Sequence, residues 1–256
     1  MIDFHSHILP GIDDGAKNMD ISLNMLKLSI SEGVEHICAT PHFIPGEHEI
    51  NKEIYFSLLT ELQSSIGEHI NIVSGLEVYI DPKVPELYKE DKIWCINNKK
   101  YMLLELPMND FPLYTEDVFY ELRLLGITPI LAHPERNLEI MKDEILLKNL
   151  IDQGALAQIN SGSLRGKYGE RVQVCAENLV KKNLIHLVGS DGHNASSRKT
   201  KIKEGFEIIE RINKPLYDNI LLNEKSIILG EDIEILPIKE EKERKSFSIF
   251  NIFRKK

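Results

Sequence analysis

Cysteine is scarce in this 256-residue chain: Cys38, Cys95 and Cys175 are odd in number and widely spaced. No C-x-x-C pair exists, which excludes a disulfide framework and a cysteine zinc site and fits a reducing compartment. Six residues after each cysteine stand Ile44, Tyr101 and Lys181, not arginine. A phosphate-binding loop built on a cysteine nucleophile is therefore absent. Positive charge is also short. Lys and Arg number 31 against 40 Asp and Glu, a net charge of -9, which argues against a nucleic-acid partner. Any anionic ligand then needs local positive charge, from a metal or from placed arginines. Long apolar runs are missing, since none approaches the ~18 residues of a membrane span. The N-terminus lacks a basic stretch followed by an apolar one, so no signal peptide is expected and the chain reads as cytoplasmic. No Gly-rich dinucleotide fingerprint follows any apolar run. The nearest phosphate-loop look-alike, Gly162 to Tyr168, has one residue too few and no serine or threonine hydroxyl after Lys167.

What is present is ordinary globular composition, 42% hydrophobic and 28% charged, enough to bury a full core. Seven short β-rich runs recur, at Ile2–His5, Glu35–Thr40, Asn71–Val78, Tyr101–Leu106, Thr128–Ala132, Ala155–Asn160 and Ile185–Ser190. Between them lie stretches with apolar residues at spacings of three and four. Asn18–Ser31, Glu53–Ile66, Asp117–Leu125, Leu138–Ile151 and Arg171–Lys182 are predicted helices. Gly33, Gly126 and Gly154 stand where a left-handed residue ends a helix. Such sustained alternation predicts parallel strands with crossover helices. Seven units in one domain predict an α/β fold closed into a barrel, whose active site would lie at the C-terminal ends of the strands.

Reading off those ends gives His5 and His7, then His42, Glu77, Glu105, His133, Asn160, and finally Asp191 with His193. Six of seven ends carry His, Asp or Glu, and a barrel brings them onto one rim. The opening stretch, M-I-D-F-H-S-H-I-L-P-G-I-D-D-G, is the densest. Residues two apart on a strand share a face, so Asp3, His5 and His7 are expected side by side, with a carboxylate behind the imidazoles to fix their tautomers. The donors are nitrogen and carboxylate without sulfur, which suits manganese, zinc or iron(II). They exceed what one ion can hold, so two or three ions are expected, with Glu77 able to bridge a pair. Arg136 and Arg198 follow His133 and His193 closely, and guanidinium suits phosphate. His36, His48, His69 and His186 are expected to be structural, His186 because its parity along the last strand is opposite to that of Asp191.

With D-F-H-S-H-I-L-P-G-I-D-D-G, A-T-P-H, G-L-E, L-E-L-P, A-H-P-E-R and G-S-D-G-H in this order, the chain resembles the polymerase-and-histidinol-phosphatase superfamily. Within it, the resemblance is to the bacterial metal-dependent protein-tyrosine phosphatases of capsule and exopolysaccharide operons, over roughly residues 1–235. It implies a distorted TIM-like (β/α)7 barrel with three divalent ions, most often Mn2+. One ion would take His5, His7, Glu77 and Asp191, the second Glu77, Glu105 and His133, and the third Asp14, His42 and His193. Arg136 and Arg198 match the family's phosphate-binding arginines. The implied reaction is hydrolysis without a covalent enzyme intermediate. The implied substrate is the tyrosine-rich tail of a membrane-associated bacterial tyrosine kinase that controls polysaccharide export. A small-molecule phosphoesterase of the histidinol-phosphate type is the alternative on the same site. A metal-stabilised scaffold that only binds the kinase tail is a third reading.

Phe43 and the run Phe111 to Tyr114 are candidates to rim a tyrosine pocket. After residue 238 the composition changes, so the barrel is assigned to 1–238 and a basic tail to 239–256. The last fifteen residues hold six lysines and arginines, with Phe247, Phe250 and Phe253 at spacing three. Such a segment is expected to lie on an anionic membrane surface or dock on a partner. A frayed terminus and a tail folded onto the barrel are the alternatives. The reading is compatible with an oligomer.

Overall fold

The computed structural model describes residues 1–239. Nine strands and ten helices alternate along them. The strands are β1 (Ile2–Ser6), β2 (His36–Ala39), β3 (His42–Phe43), β4 (Asn71–Ser74), β5 (Glu77–Tyr79), β6 (Tyr101–Glu105), β7 (Thr128–Ala132), β8 (Leu156–Asn160) and β9 (Leu187–Gly189). The helices are α1 (Met19–Ser31), α2 (Lys52–Ile66), α3 (Val84–Lys89), α4 (Thr115–Leu124), α5 (Leu138–Lys142), α6 (Ile145–Asp152), α7 (Ser161–Leu164), α8 (Glu170–Lys181), α9 (Lys203–Ile212) and α10 (Lys214–Leu229).

Every strand pair is parallel. One ladder runs β1-β2-β4 and the other β3-β5-β6-β7-β8-β9. The two join because β2 continues into β3 past Thr40-Pro41, and β4 into β5 past Gly75-Leu76. The predicted run Asn71–Val78 is thus broken once, and the predicted run Glu35–Thr40 is followed by the short extra strand β3 beyond Pro41, which has no N–H to give the ladder. The ring closes where β1 meets the end of β9. There Asp191 N–H donates to His5 O at 2.8 Å and His7 N–H to Gly192 O at 2.9 Å. The result is the distorted seven-stave barrel expected from the sequence.

The period of two then sorts the side chains. Ile2, Phe4, Cys38, Val73, Tyr101, Leu103, Ile130, Ala132, Leu156 and Leu187 form one buried cluster inside the barrel. Their sequence neighbours Ile37, Ile72, Met102, Leu104, Leu131, Ala157 and Val188 pack outward under the helices. Ile227 and Ile228 of α10 complete the inner cluster, so this helix forms the barrel floor. Tyr101 Oη donates to Glu231 O there at 2.6 Å, and Ile2 N–H donates to Glu224 Oε1 at 2.9 Å. With one end plugged by apolar residues, the polar residues further along the same inner face are forced to the other end.

The helices start where side-chain caps allow. Asn18 accepts from Ile21 N–H and Asn51 from Ile54 N–H. The predicted helix Leu138–Ile151 is two helices. Asp143 ends α5 in an extended conformation, and its carboxylate accepts from Ile145 N–H to open α6. No helix among the described residues is long and apolar enough to cross a membrane. The basic tail predicted from residue 239 onward lies, past Lys239, outside the described residues.

Candidate metal centre

Continuing each inner row past the apolar plug reaches polar side chains. Val73 leads to Glu77, Leu103 to Glu105, Leu156 to Gln158 and Asn160, and Cys38 to Thr40 and His42. His5 and His7 come from the end of β1, His133 follows β7, and Asp191 and His193 follow β9. Asp14 reaches the group from the loop after β1. The nine candidate ligands therefore do meet at one rim.

Their contacts are close. His5 Nε2 and His7 Nε2 are 3.2 Å apart, and lie 3.1 and 3.3 Å from Glu77 Oε2. His42 Nδ1 is 3.0 Å from the same oxygen. His133 Nε2 is 3.0 Å from Glu77 Oε1 and 3.8 Å from Glu105 Oε1. His193 Nε2 and His42 Nε2 lie 3.3 and 3.6 Å from Asp14 Oδ1. His7 Nε2 is 3.6 Å from Asp191 Oδ1 and His5 Nε2 3.9 Å. Three groups have ligand atoms mutually within 4.8 Å: His5, His7 and Glu77; His42, Glu77 and Glu105; and His7, Asp14, His42 and His193. Glu77 belongs to two of them.

A fit to cations can be tested on the unmet atoms. Glu77 Oε2, His42 Nδ1 and His193 Nε2 are buried without a hydrogen-bond partner, although other donors and acceptors crowd them. Buried polar atoms are normally satisfied. Atoms that approach one another without hydrogen-bond geometry behave as ligands aimed at a common point. The donor set fits divalent ions.

The electrostatics agree. Burial alone would push the Glu77 carboxyl up, but His5, His133 and His42 hold it well below the ordinary range. Glu105 moves the opposite way, raised by burial and by the charge of Glu77. Burial lowers His193, and the neighbouring His7 lowers it further, leaving its imidazole neutral and able to ligate.

A surrounding set of residues orients the rings. His5 Nδ1 donates to Gln158 Oε1 at 2.9 Å, Gln158 Nε2 to Asn160 Oδ1, and Asn160 Nδ2 to Asp191 Oδ2. His7 Nδ1 is held by Asp13 Oδ2 at 2.7 Å, and His42 N–H donates to the same oxygen. Both rings therefore present Nε2 inward. Asp3 does not play this part. The β1 ladder is irregular between Asp3 and Ser6, and the Asp3 carboxylate accepts from the N–H of Ser190 and of His5.

Backbone geometry completes the rim. A Cβ on Gly189 would lie 2.5 Å from His5 Cβ, and one on Gly15 would lie 2.3 Å from His7 O. Only glycine allows these approaches. His133 and Asp191 adopt positive φ, 31° and 50°, conformations that concentrate at functional sites.

Arg136 and Arg198 converge on Asp191. Arg136 Nη1 donates to Oδ2 at 2.8 Å and Arg198 Nη2 to Oδ1 at 2.7 Å. Arg136 also lies over the Tyr168 ring, 4.5 Å from its centroid. Arg136 forms no ion pair with Glu135, its neighbour in sequence. Glu135 is buried and accepts from Ser163 Oγ and Asn160 N–H.

The other histidines stand apart. His36 meets Asn71 at the far end of β2, His48 closes a short bridge with Ile44, and His69 lies in a helical turn after α2. His186 is buried just before β9, with Nδ1 accepting from Ala157 N–H. Phe43 is buried in the core and rims nothing. In the second aromatic run, Leu113 is wholly exposed.

The family described as "Capsular polysaccharide synthesis, CpsB/CapC" matches residues 1–229. Tyrosine-protein phosphatase YwqE of Bacillus subtilis (strain 168) is 34% identical over 254 residues, 98% of this chain and 100% of that protein. Tyrosine-protein phosphatase CpsB of Streptococcus pneumoniae is 31% identical over 219 residues, 82% of this chain and 90% of its own. A structure from work on YwqE and CpsB, described as unique metal-dependent tyrosine phosphatases, superposes with a TM-score of 0.89 at 33% identity, covering 94% of this chain and 100% of that one. Histidinol phosphate phosphatase from Lactococcus lactis superposes with a TM-score of 0.55 at 17% identity, over 83% and 93% of the two chains. That likeness is one of fold.

Proposed function

We infer, from the premise that this chain belongs to the capsular polysaccharide synthesis family CpsB/CapC, that it is a metal-dependent protein-tyrosine phosphatase. Relatives matched over 90% or more of their length are tyrosine-protein phosphatases. The observation that carries the chemistry is the pair of arginines turned onto Asp191 beside the imidazole and carboxylate cluster.

His5, His7, Glu77 and Asp191 would hold one divalent ion. Glu77, Glu105 and His133 would hold a second, and Asp14, His42 and His193 a third. The unmet atoms of Glu77 and His193 support this assignment, whereas the unmet Nδ1 of His42 faces Glu77 and Glu105 at 3.0 and 3.6 Å, so this ring stands between the second and third groups. Nitrogen and carboxylate donors without sulfur favour manganese, with zinc and iron(II) in the same donor class. Such ions supply a nucleophile from water near neutral pH and neutralise charge on a phosphate.

The protein's own groups position the substrate. Arg136 and Arg198 would take phosphate oxygens in their planar forks. Arg198 keeps a buried Nε without a partner, a donor available to such an oxygen. Tyr168 backs Arg136 and limits its rotation. Asp13 and Gln158 hold the Nδ1 sides of His7 and His5. A phosphocysteine intermediate is disfavoured. Burial pushes the Cys95 and Cys175 thiols up to about 12, and Cys38 is raised by burial and by Asp3.

The substrate we assign is the phosphotyrosine tail of a membrane-associated tyrosine kinase that governs capsular or extracellular polysaccharide. The site of action is the cytoplasmic face of the membrane. The family's link to capsular polysaccharide synthesis supports the first assignment. Phosphate release from a phosphotyrosine peptide and from histidinol phosphate, measured on manganese-loaded protein, tests the substrate class. Preference for the peptide is expected, and preference for histidinol phosphate overturns it.

A further inference from the structure

A basic cleft borders the metal centre of this acidic protein. It has a volume of about 520 Å³, and Arg165, Lys167, Lys199 and Lys201 line it together with Glu204. Arg198, one residue before Lys199, turns the other way onto Asp191. The loop that leads into Arg198 is held by its own hydrogen bonds. Asn194 Oδ1 accepts from the N–H groups of Ser196, Ser197 and Arg198, and Lys167 Nζ donates to Ser197 O. Successive residues of one hydrogen-bonded turn therefore face the metal centre and the cleft.

The positive charge is only partly matched. Arg165 is 3.6 Å from Glu204 and Lys201 is 3.1 Å from Glu32. Among the described residues, Lys167 and Lys199 form no ion pair with a carboxylate. Arg165 Nε is buried without a partner. Burial pushes the Lys167 ammonium down, and the neighbouring charges of Arg165 and Arg198 push it the same way. Such crowding costs stability unless an anion relieves it.

We propose that this cleft is an anion subsite that holds a second anionic group of the peptide substrate, a carboxylate or phosphate near the phosphotyrosine. The proposal rests on the tyrosine-phosphatase reading and adds a flank preference to it. A free small phosphoester has no second group to place there, whereas a peptide leaving Arg198 can run directly over Lys199 and Lys167.

Three phosphotyrosine peptides that differ only in flank test the proposal. One has neutral flanks, one has aspartates, and one has a non-hydrolysable phosphonate analogue of phosphotyrosine. Either anionic flank is expected to raise kcat/KM by about threefold to tenfold, through KM, in keeping with a few partly exposed ion pairs. The advantage should shrink as salt is raised. The aspartate and phosphonate arms distinguish a carboxylate ligand from a phosphate one. In Lys199→Ala, and further in Lys167→Ala/Lys199→Ala, the ratio of anionic-flank to neutral-flank kcat/KM should fall toward one. This ratio is internal to each variant, so a general loss of activity cancels. Equal kcat/KM for all three peptides overturns the subsite while leaving the tyrosine-phosphatase reading standing, as does a ratio unchanged in both variants. Failure to hydrolyse any of the three overturns that reading and the subsite together.

Discussion

Asp13 Oδ2 lies 2.7 Å from Nδ1 of His7 and fixes that ring with Nε2 facing Glu77. Burial alone would lower the His7 pKa, but Asp13 and Glu77 together raise it well above its ordinary value. The same contact draws the Asp13 carboxyl below the usual range, although its own burial opposes this. A carboxylate behind a ligating imidazole orients the ring and raises its basicity. Asp13→Asn keeps an acceptor for Gly15 N–H but removes the charge. It should weaken binding of manganese by about 10- to 100-fold with little change in Tm, as measured by titration of metal-stripped protein.

Arg136 and Arg198 share Asp191, so their effects should not add. Changing either to alanine is expected to lower kcat/KM for a phosphotyrosine peptide by at least about tenfold. The double variant should fall short of the product of the two losses. Lysine should rescue poorly at either position, because it cannot reproduce the planar fork. Steady-state kinetics on the wild type, the two alanine variants, the double variant and the two lysine variants check this, and full rescue by lysine would remove the bidentate role.

His186 offers a test of the fold that is independent of the site. Its Nδ1 accepts from Ala157 N–H at 3.0 Å, and its Nε2 has no partner. Burial lowers its pKa from 6.5 to about 4. Below pH 6.5 the unfolded chain therefore takes up a proton that the folded chain refuses. Stability from this group is full above pH 6.5 and is lost as pH falls toward 4. Between pH 7 and 5 the loss is about 2 kcal/mol. His186→Gln, which keeps an acceptor for Ala157, should lose about that much less over this interval in denaturant unfolding. An identical pH dependence in the two proteins would contradict the assignment.

The strands were legible because each stave alternates, with one row packed inside the barrel and the next under the helices. Such rows leave a signal of period two, and their polar ends pointed to the rim. The helices α9 and α10 were missed, although α10 closes the floor with Ile227 and Ile228. Nothing local marks a helix as a lid on a barrel. Asp143 was read through because three- and four-residue spacing persists across it, while its capping bond to Ile145 does not show in hydrophobic pattern. Asp3 was misassigned because strict alternation ignores the irregularity in β1. Asp13 stood in the opening stretch beside Asp14, but its contact with His7 depends on the loop between them folding back, which spacing along the chain does not show. Gln158 and Asn160 were invisible as site residues, because an amide on a strand carries no chemical signature until the ring it holds is placed beside it. The positive φ at His133 and Asp191 likewise arises only from the closed ring.

The most direct measurement is phosphate release from a phosphotyrosine peptide by metal-stripped protein before and after manganese is returned, with His5→Ala and His133→Ala beside it. Activity should be absent without metal and return with manganese. It should stay more than about 100-fold lower in both variants while their fold, followed by circular dichroism, persists. Full activity in the stripped protein, or undiminished activity in the two variants, would contradict a metal-dependent phosphatase built on these residues.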